Sequence, residues 1–297
     1  MSFLNPVNEP VKRFKSTDVG APQINYNART AGDVNAVLKA CLVTGYGAVT
    51  SAGWTTANEV ANVIELVSPS AAMSDYRLGV DDASAANTTW YYQYQDARVD
   101  PVNNACKKVF TYIDKVNASN GWELLVTTRG LLFVEKFYHS DVNKTVARVT
   151  YWGQLKSVSA TNSGVNIGFW SAGHGSSWQP YQFFSDPSKL SFSVNGYSTL
   201  EVSAANIESL KRSDKLYSDS VADLTSSVYL YKAGVLIAEH PAILVEDSAN
   251  SNGLYGVRDK LLQSRNVLHV PLSREVSPTF LLGAVRIFLI YLDYWEY

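Results

Sequence analysis

At 297 residues the chain fits one large domain or two ordinary ones, and 46% hydrophobic with 18% charged residues supplies a sizeable core. A net charge of −2, with no basic run longer than Lys12-Arg13, Lys107-Lys108 or Lys211-Arg212, argues against nucleic acid as the main partner. Two cysteines, Cys41 and Cys106, stand 65 positions apart without C-x-x-C spacing, so packing rather than disulfides or structural zinc must hold the fold.

In chain order, residues 1–13 carry Pro6 and Pro10 in a mostly polar stretch without the apolar run of a secretory signal. They predict an extended arm, either disordered or laid across a neighbouring subunit. Residues 14–297 then form the main domain, with 198–223 as the place for any sub-boundary. Thr30 to Val43 predicts an amphipathic helix, because Val34, Val37, Leu38, Cys41 and Leu42 fall on one stripe. Thr30 and Asp33 resemble a capping box, and Gly45 supplies the stop. Ala57 to Val67 fits a second helix or, through its β-branched content, a strand.

From residue 74 onward the pattern is β. Tyr76–Val80, Thr88–Tyr94, Trp122–Thr127 and Leu131–Tyr138 are rich in aromatic and branched residues, the last two flanking a hairpin turn at Arg129-Gly130. Val146–Leu155 follows, interrupted at Gly153. Val165–Trp170, Leu190–Val194, Ser227–Tyr231, Ala242–Val245 and Val267–Val270 add strands. Phe280–Leu292 has only 13 residues and includes Arg286, so it predicts a core strand rather than a membrane anchor, which needs about 20. Many short strands broken by Gly, Ser, Asn and Pro predict a mainly β fold, an antiparallel β-sandwich or barrel with one short N-terminal amphipathic helix. Ser171–Pro180 and Ser198–Asp223 read as long loops, the second with a short helix near Ala204–Arg212.

Chemistry-bearing patterns are weak. Gly173-His174-Gly175-Ser176-Ser177 lacks the G-x-S-x-G spacing and the strand-to-helix setting of a nucleophile elbow. His139, His174, His240 and His269 stand 35, 66 and 29 positions apart, so no local metal motif forms. The loop acids Asp81, Asp82, Asp96, Asp100, Asp186 and Asp223 fit turns by backbone preference, although a glycosidase pair need not be close in sequence. No catalytic residue, cofactor or metal is therefore expected. The aromatic surplus of 7 Trp, 18 Tyr and 11 Phe is more informative. Trp90-Tyr91-Tyr92-Gln93-Tyr94 places rings on both faces of one strand, and Tyr291–Tyr297 repeats the pattern at the last residues. Both faces are either internal core or met by a neighbour, which makes Tyr92, Tyr94, Trp178, Tyr294, Trp295 and Tyr297 candidate subunit contacts. Rings stacked on sugars are a further reading.

Phe14-Lys15-Ser16-Thr17-Asp18-Val19-Gly20-Ala21-Pro22, the helix, Gly45-Tyr46-Gly47 and Gly53-Trp54-Thr55 together resemble a family of tailed-bacteriophage virion structural proteins. The members open with "ST-D-x-G-A-P", a short helix, "GYG" and "GWT". The likeness continues more loosely through Arg77–Asp82, Trp122–Val126 and Gly253–Gly256. It departs near 103–120, over 198–223 and in the terminal Tyr294-Trp295-Glu296-Tyr297. What the resemblance implies is a virion component encoded among head and tail genes and made in the host cytoplasm. It does not fix the position, and with no catalytic constellation the reading is a non-enzymatic subunit, the neck, tail or baseplate being favoured over the capsid surface. Its expected partners are copies of itself and other virion proteins, not nucleic acid or membrane. No catalytic residues carry over. Capsid decoration is one alternative, and a glycan-directed receptor-binding module or glycosidase is another.

Overall fold

The computed structural model describes residues 6–24, 29–85, 87–94, 97–99, 109–110, 121–139, 144–157, 166–173, 191–194, 198–200, 223–232, 235–248, 257–262, 264–274 and 285–297. The chain opens with β1 (Asn8–Pro10) and β2 (Lys12–Lys15), then helix α1 (Asp33–Lys39), which widens into a π-helical turn over Ala40–Thr44. Strands β3 (Thr55–Val60), β4 (Val63–Val67), β5 (Tyr76–Asp81), β6 (Asn87–Tyr94), β7 (Ala97–Val99) and β8 (Val109–Phe110) follow. Next come β9 (Gly121–Val126), β10 (Gly130–His139), β11 (Lys144–Gln154), β12 (Lys156–Ser157), β13 (Asn166–Gly173), β14 (Ser191–Val194) and β15 (Ser198–Leu200). The last group is β16 (Asp223–Lys232), β17 (Val235–Ser248), β18 (Arg258–Leu262), β19 (Arg265–Arg274), β20 (Val285–Tyr291) and β21 (Tyr294–Glu296).

These strands pair antiparallel in three large sheets. The central one has the order β15-β14-β13-β11-β10-β9-β2. A second runs β12-β17-β20-β19-β18 with β16 on β17, and a third runs β3-β4-β5-β6-β7 with β8 on β6. Among the described residues no sheet closes into a barrel, so the sandwich alternative of the sequence reading holds.

Around β9, β10 and β11 the central sheet is covered on both faces. Trp122, Leu124, Leu131, Phe133 and Trp152 face α1 and the third sheet, where they meet Leu38, Leu66, Leu78 and Trp90. Leu125, Leu132, Val134, Val149 and Tyr151 face the second sheet and meet Leu268, Val270, Phe288 and Ile290. That double burial explains why Trp122–Val126 and Leu131–Val134 show no polar alternation: each side of the pleat enters a core. Burying each such side chain is worth about 1.5–3 kcal/mol. Cys41 is a buried free thiol, pushed up in pKa first by desolvation and then by Asp18. Cys106 lies outside the described residues.

The helical stripe is buried as expected, but the other reading of 57–67 prevails. That stretch is a hairpin, β3–β4, turned at Ala61 and Asn62, both with positive φ. Gly153 does not interrupt β11. It lies opposite Gly130 and Gly168, and a Cβ there would come 2.5 Å from the Gly130 Cα. Glycine at 153 thus lets β11 and β10 run unbroken past the Arg129-Gly130 turn. Ser171–Gly173 extend β13 and Ser198–Leu200 form β15, shortening the two expected loops; their remaining residues before Asp223 lie outside the description.

The largest departure concerns the arm. Of residues 1–13, positions 6–13 are described, and they pair with strands of their own chain. β1 pairs with β21 and β2 pairs with β9, so the segment is extended but bound in cis.

Candidate functional site

The residues that carry the family resemblance converge on one surface feature built from two loops. Phe14 in β2 is fully buried and packs against Tyr46, 6.1 Å between ring centroids. Ser16 then ties the first loop to the central sheet, its N–H donating to Trp122 O at 2.9 Å and its hydroxyl accepting Trp122 N–H at 3.1 Å. Asp18 accepts the Lys15 N–H at 2.9 Å and the Tyr46 hydroxyl at 2.8 Å, joining the first loop to the second. Desolvation and then this hydrogen bond push the Tyr46 phenol well above its ordinary pKa. Gly20, at φ 81°, and Gly47, at φ 53°, let the loop backbones touch: a Cβ on Gly47 would come 2.4 Å from Val19 O.

The second loop also closes the helix. Ala52 N–H donates to Cys41 O and Trp54 N–H to Leu42 O, both at 2.9 Å, which satisfies carbonyls that a helix end leaves open. Trp54 is buried with its ring edge on Trp152 at 5.5 Å. The motif residues are therefore fasteners. What they hold to the outside is a rigid, uncharged tip of small residues, Gly20, Gly47 and Ala48 exposed, with Val19 projecting at 90% exposure.

Inside the fold the most polar feature is a buried charge cluster between α1, β6 and the central sheet. Asp82 is fully buried. Its carboxylate accepts the Val34 N–H at 2.8 Å, the Asn35 N–H at 3.4 Å and the Thr88 hydroxyl at 2.8 Å, and pairs with Arg29. The expected capping residues act only locally: Thr30 donates to Asp33 from its N–H at 2.9 Å and from its hydroxyl at 2.6 Å. The helix N-cap position is Gly32, which offers no side chain, so the cap comes from Asp82, 48 positions downstream of Val34. Asp81 behaves as a turn residue, accepting Ala83 N–H at 3.1 Å. Nearby, Glu135 is 2% exposed, and among the described residues neither carboxylate oxygen has a hydrogen-bond partner; Arg148 Nη1 stands 3.9 Å away. Desolvation raises its pKa against the opposing pull of Arg148 and Arg29.

Of the candidate contact residues, Tyr294, Trp295 and Tyr297 are described in full, and two of these three are buried. Trp295 is fully buried and Tyr297 is 8% exposed, both within the core between the central and second sheets. The Tyr297 hydroxyl lies 2.7 Å from the Thr127 hydroxyl, and burial lifts its pKa far above the ordinary phenol value. Expected as contacts for a neighbour, these two rings are instead covered by the chain itself, because β1 and the 127–129 turn close over them. Tyr294 is half-buried, and Arg265 stacks between Tyr291 and Tyr294 at 3.5 and 3.9 Å from the ring centroids. On β6 both faces are internal at Trp90 and Tyr91, which are 0% and 2% exposed. The side chains of Tyr92 and Tyr94, and the whole of Trp178, lie outside the description.

Of the histidines, His240 is buried against Tyr151 with 4.3 Å between ring centroids, and desolvation lowers its pKa to about 3. His269 is buried on another strand of the same sheet, His139 is in β10, and His174 is outside the described residues. Among the described residues no group of three or more His, Cys, Asp or Glu is placed to hold a metal, and no helix is long and apolar enough to cross a membrane. Asp96, Asp100 and Asp186 are outside the description, and Asp223 begins β16. No family model, no curated protein and no solved structure matches this chain.

Proposed function

We propose that the chain is a non-enzymatic structural subunit of a tailed-bacteriophage particle, located in the neck, tail or baseplate. It works by contact with copies of itself and with companion proteins. Two supports join here. One is the sequence resemblance over Phe14–Thr55. The other is where those residues sit: they build the rigid two-loop tip that projects Val19, 90% exposed, from a neutral ring of glycine and alanine.

A tip of that kind suits packing rather than chemistry. Asp18 is turned inward onto Tyr46 and the Lys15 N–H, and Lys12 Nζ is held by Thr50 Oγ1 at 2.6 Å and Ser51 O at 2.9 Å. The outward side chains are thus small and uncharged, the exposed hydroxyls of Thr17 and Thr50 among them, and the loop backbone is tied in place, which lowers the entropy cost of association. In a symmetric assembly one such contact is repeated, so a modest patch suffices.

The test is direct. Mass spectrometry of purified particles from a phage carrying this gene should detect the chain at stoichiometric levels. Val19→Asp should fold and melt within about 0.5 kcal/mol of the parent, as exposed substitutions do, yet be depleted from particles. Absence of the parent chain from mature particles would overturn the proposal.

A further inference from the structure

We propose that the groove occupied by β1 is a strand-acceptor site, and that residues 6–10 of a second copy fill it when copies are crowded together. The inference concerns how copies join. It goes beyond the particle reading and can fail without it, since incorporation into particles does not require exchange.

The groove is a built peptide site. Val7 N–H donates to Tyr297 O and Tyr297 N–H to Val7 O, both at 2.9 Å, and Val11 N–H donates to Asp293 O at 3.1 Å. Between them Asn8 faces Glu296, Glu9 faces Trp295 and Pro10 faces Tyr294. This is β-strand addition, in which main-chain bonds give affinity and a side-chain pocket gives selectivity. The pocket takes Glu9. Its carboxylate accepts Thr128 N–H at 3.0 Å and Arg129 Nε–H at 2.6 Å, together with the Thr128 hydroxyl. The ligand class is an extended peptide with glutamate at its centre.

The occupant is loosely committed to its own chain. β1 has three residues, of which Asn8 and Pro10 are exposed, and Pro6 and Val7 before it are exposed too. Val11 alone separates β1 from β2, which stays on β9. Rotation at that one connection, with loss of the Val11 N–H bond to Asp293 O, frees the segment, and short hinges favour exchange. Every bond made in cis can be made identically in trans, so the balance is set by concentration. A short tether holds its own segment at an effective concentration of about millimolar. Dilute chains therefore close on themselves, while chains packed side by side exchange.

The full chain carrying Asn8→Cys and Glu296→Cys tests this. Val7 and Tyr297 exchange both backbone bonds, so positions 8 and 296 are the close, non-hydrogen-bonded pair next to them. Oxidation followed by non-reducing electrophoresis should give internally closed monomer at micromolar protein and a rising share of covalent dimer near millimolar protein. Internal closure alone at millimolar protein overturns the proposal. So do dimers formed equally by Asn8→Cys without Glu296→Cys. A second measurement does not depend on the cysteines. Glu9→Arg and Arg129→Glu chains, mixed at high concentration, should form mixed pairs by native mass spectrometry in excess of either chain alone, because in the mixed pair each arm meets a pocket of opposite charge, whereas within either chain alone arm and pocket repel. A mixture with no such excess overturns it.

Discussion

Asp82→Ala isolates the residue that holds α1 on the third sheet. In the folded chain this carboxylate caps the helix through Val34 and Asn35, accepts from Thr88 and faces Arg29, whose side chain is 3% exposed. Deleting one partner of a buried ion pair costs about 3–5 kcal/mol. Loss of a helix cap costs about 1 kcal/mol, but the two effects share one carboxylate and do not add. The expected loss is therefore about 3–5 kcal/mol, against a total stability on the order of 5–15 kcal/mol. Urea unfolding followed by tryptophan fluorescence should show a lower midpoint at unchanged slope. Asp82→Asn keeps an acceptor for Val34 and should fall between parent and alanine variant. Asp33→Ala, on the outer side of the same helix start, should cost no more than about 1 kcal/mol. A cost below about 1 kcal/mol for Asp82→Ala, or an equal cost for Asp33→Ala, would refute the cap assignment.

Other perturbations read different parts of the fold. Glu135→Gln probes the buried acid: burial raises its folded pKa, so over the window above the ordinary carboxylate value the folded state keeps a proton that the unfolded state has lost. Stability of the parent should fall relative to the glutamine variant as pH rises through that window, by up to about 1.4 kcal/mol per pH unit; a parent that gains on the variant with rising pH would show that Arg148 dominates instead. His240 has the opposite sign, since its pKa is lowered to about 3 and the unfolded state takes up a proton near 6.5. Stability should decline as pH falls from 6.5 towards 3, and urea titrations of His240→Asn, which retains an acceptor for Ala242 N–H, should show a shallower decline. Gly79→Ala should cost about 1–3 kcal/mol by overpacking, because a Cβ there meets the Tyr91 ring at 2.0 Å; thermal melts of the double variant with Tyr91→Leu should recover part of the loss.

How much of this was legible in the sequence depended on the range of each interaction. The α1 stripe was readable because Val34, Val37, Leu38, Cys41 and Leu42 obey a local period. The Trp122–Tyr138 hairpin was readable because only three residues, 127–129, join its strands. By contrast, Ala61-Asn62 is not a usual signature for a turn with two positive φ values, so the stretch read as a helix or a single strand and the β3–β4 hairpin was not anticipated. Asp82 looked like its neighbour Asp81, a turn acid, and only the tertiary fold separates them: one accepts Ala83 N–H two residues on, the other caps a helix nearly fifty positions upstream. The resemblance motif was visible as letters. That its glycines are contact points between two loops required the Gly20–Gly47 approach to be seen in space.

The sequence reading left the arm either disordered or laid on a neighbour and the terminal rings either core or contact, whereas in the folded chain β1 pairs with β21. Hydrophobic periodicity states that a face must be covered; it carries no information on which chain covers it. Trp295 and Tyr297 are buried by β1 and by the turn at Thr127–Arg129, contacts separated by well over a hundred residues. A strand edge accepts the same residues in the same register whether they arrive from its own chain or from the next one. The difference lies in the tether, which converts a bimolecular association into an intramolecular one at an effective concentration of about millimolar. On the exchange proposed above, the residues that look like an interface in sequence and like a core in one folded copy are the same residues, and the density of copies would set the balance between the two arrangements.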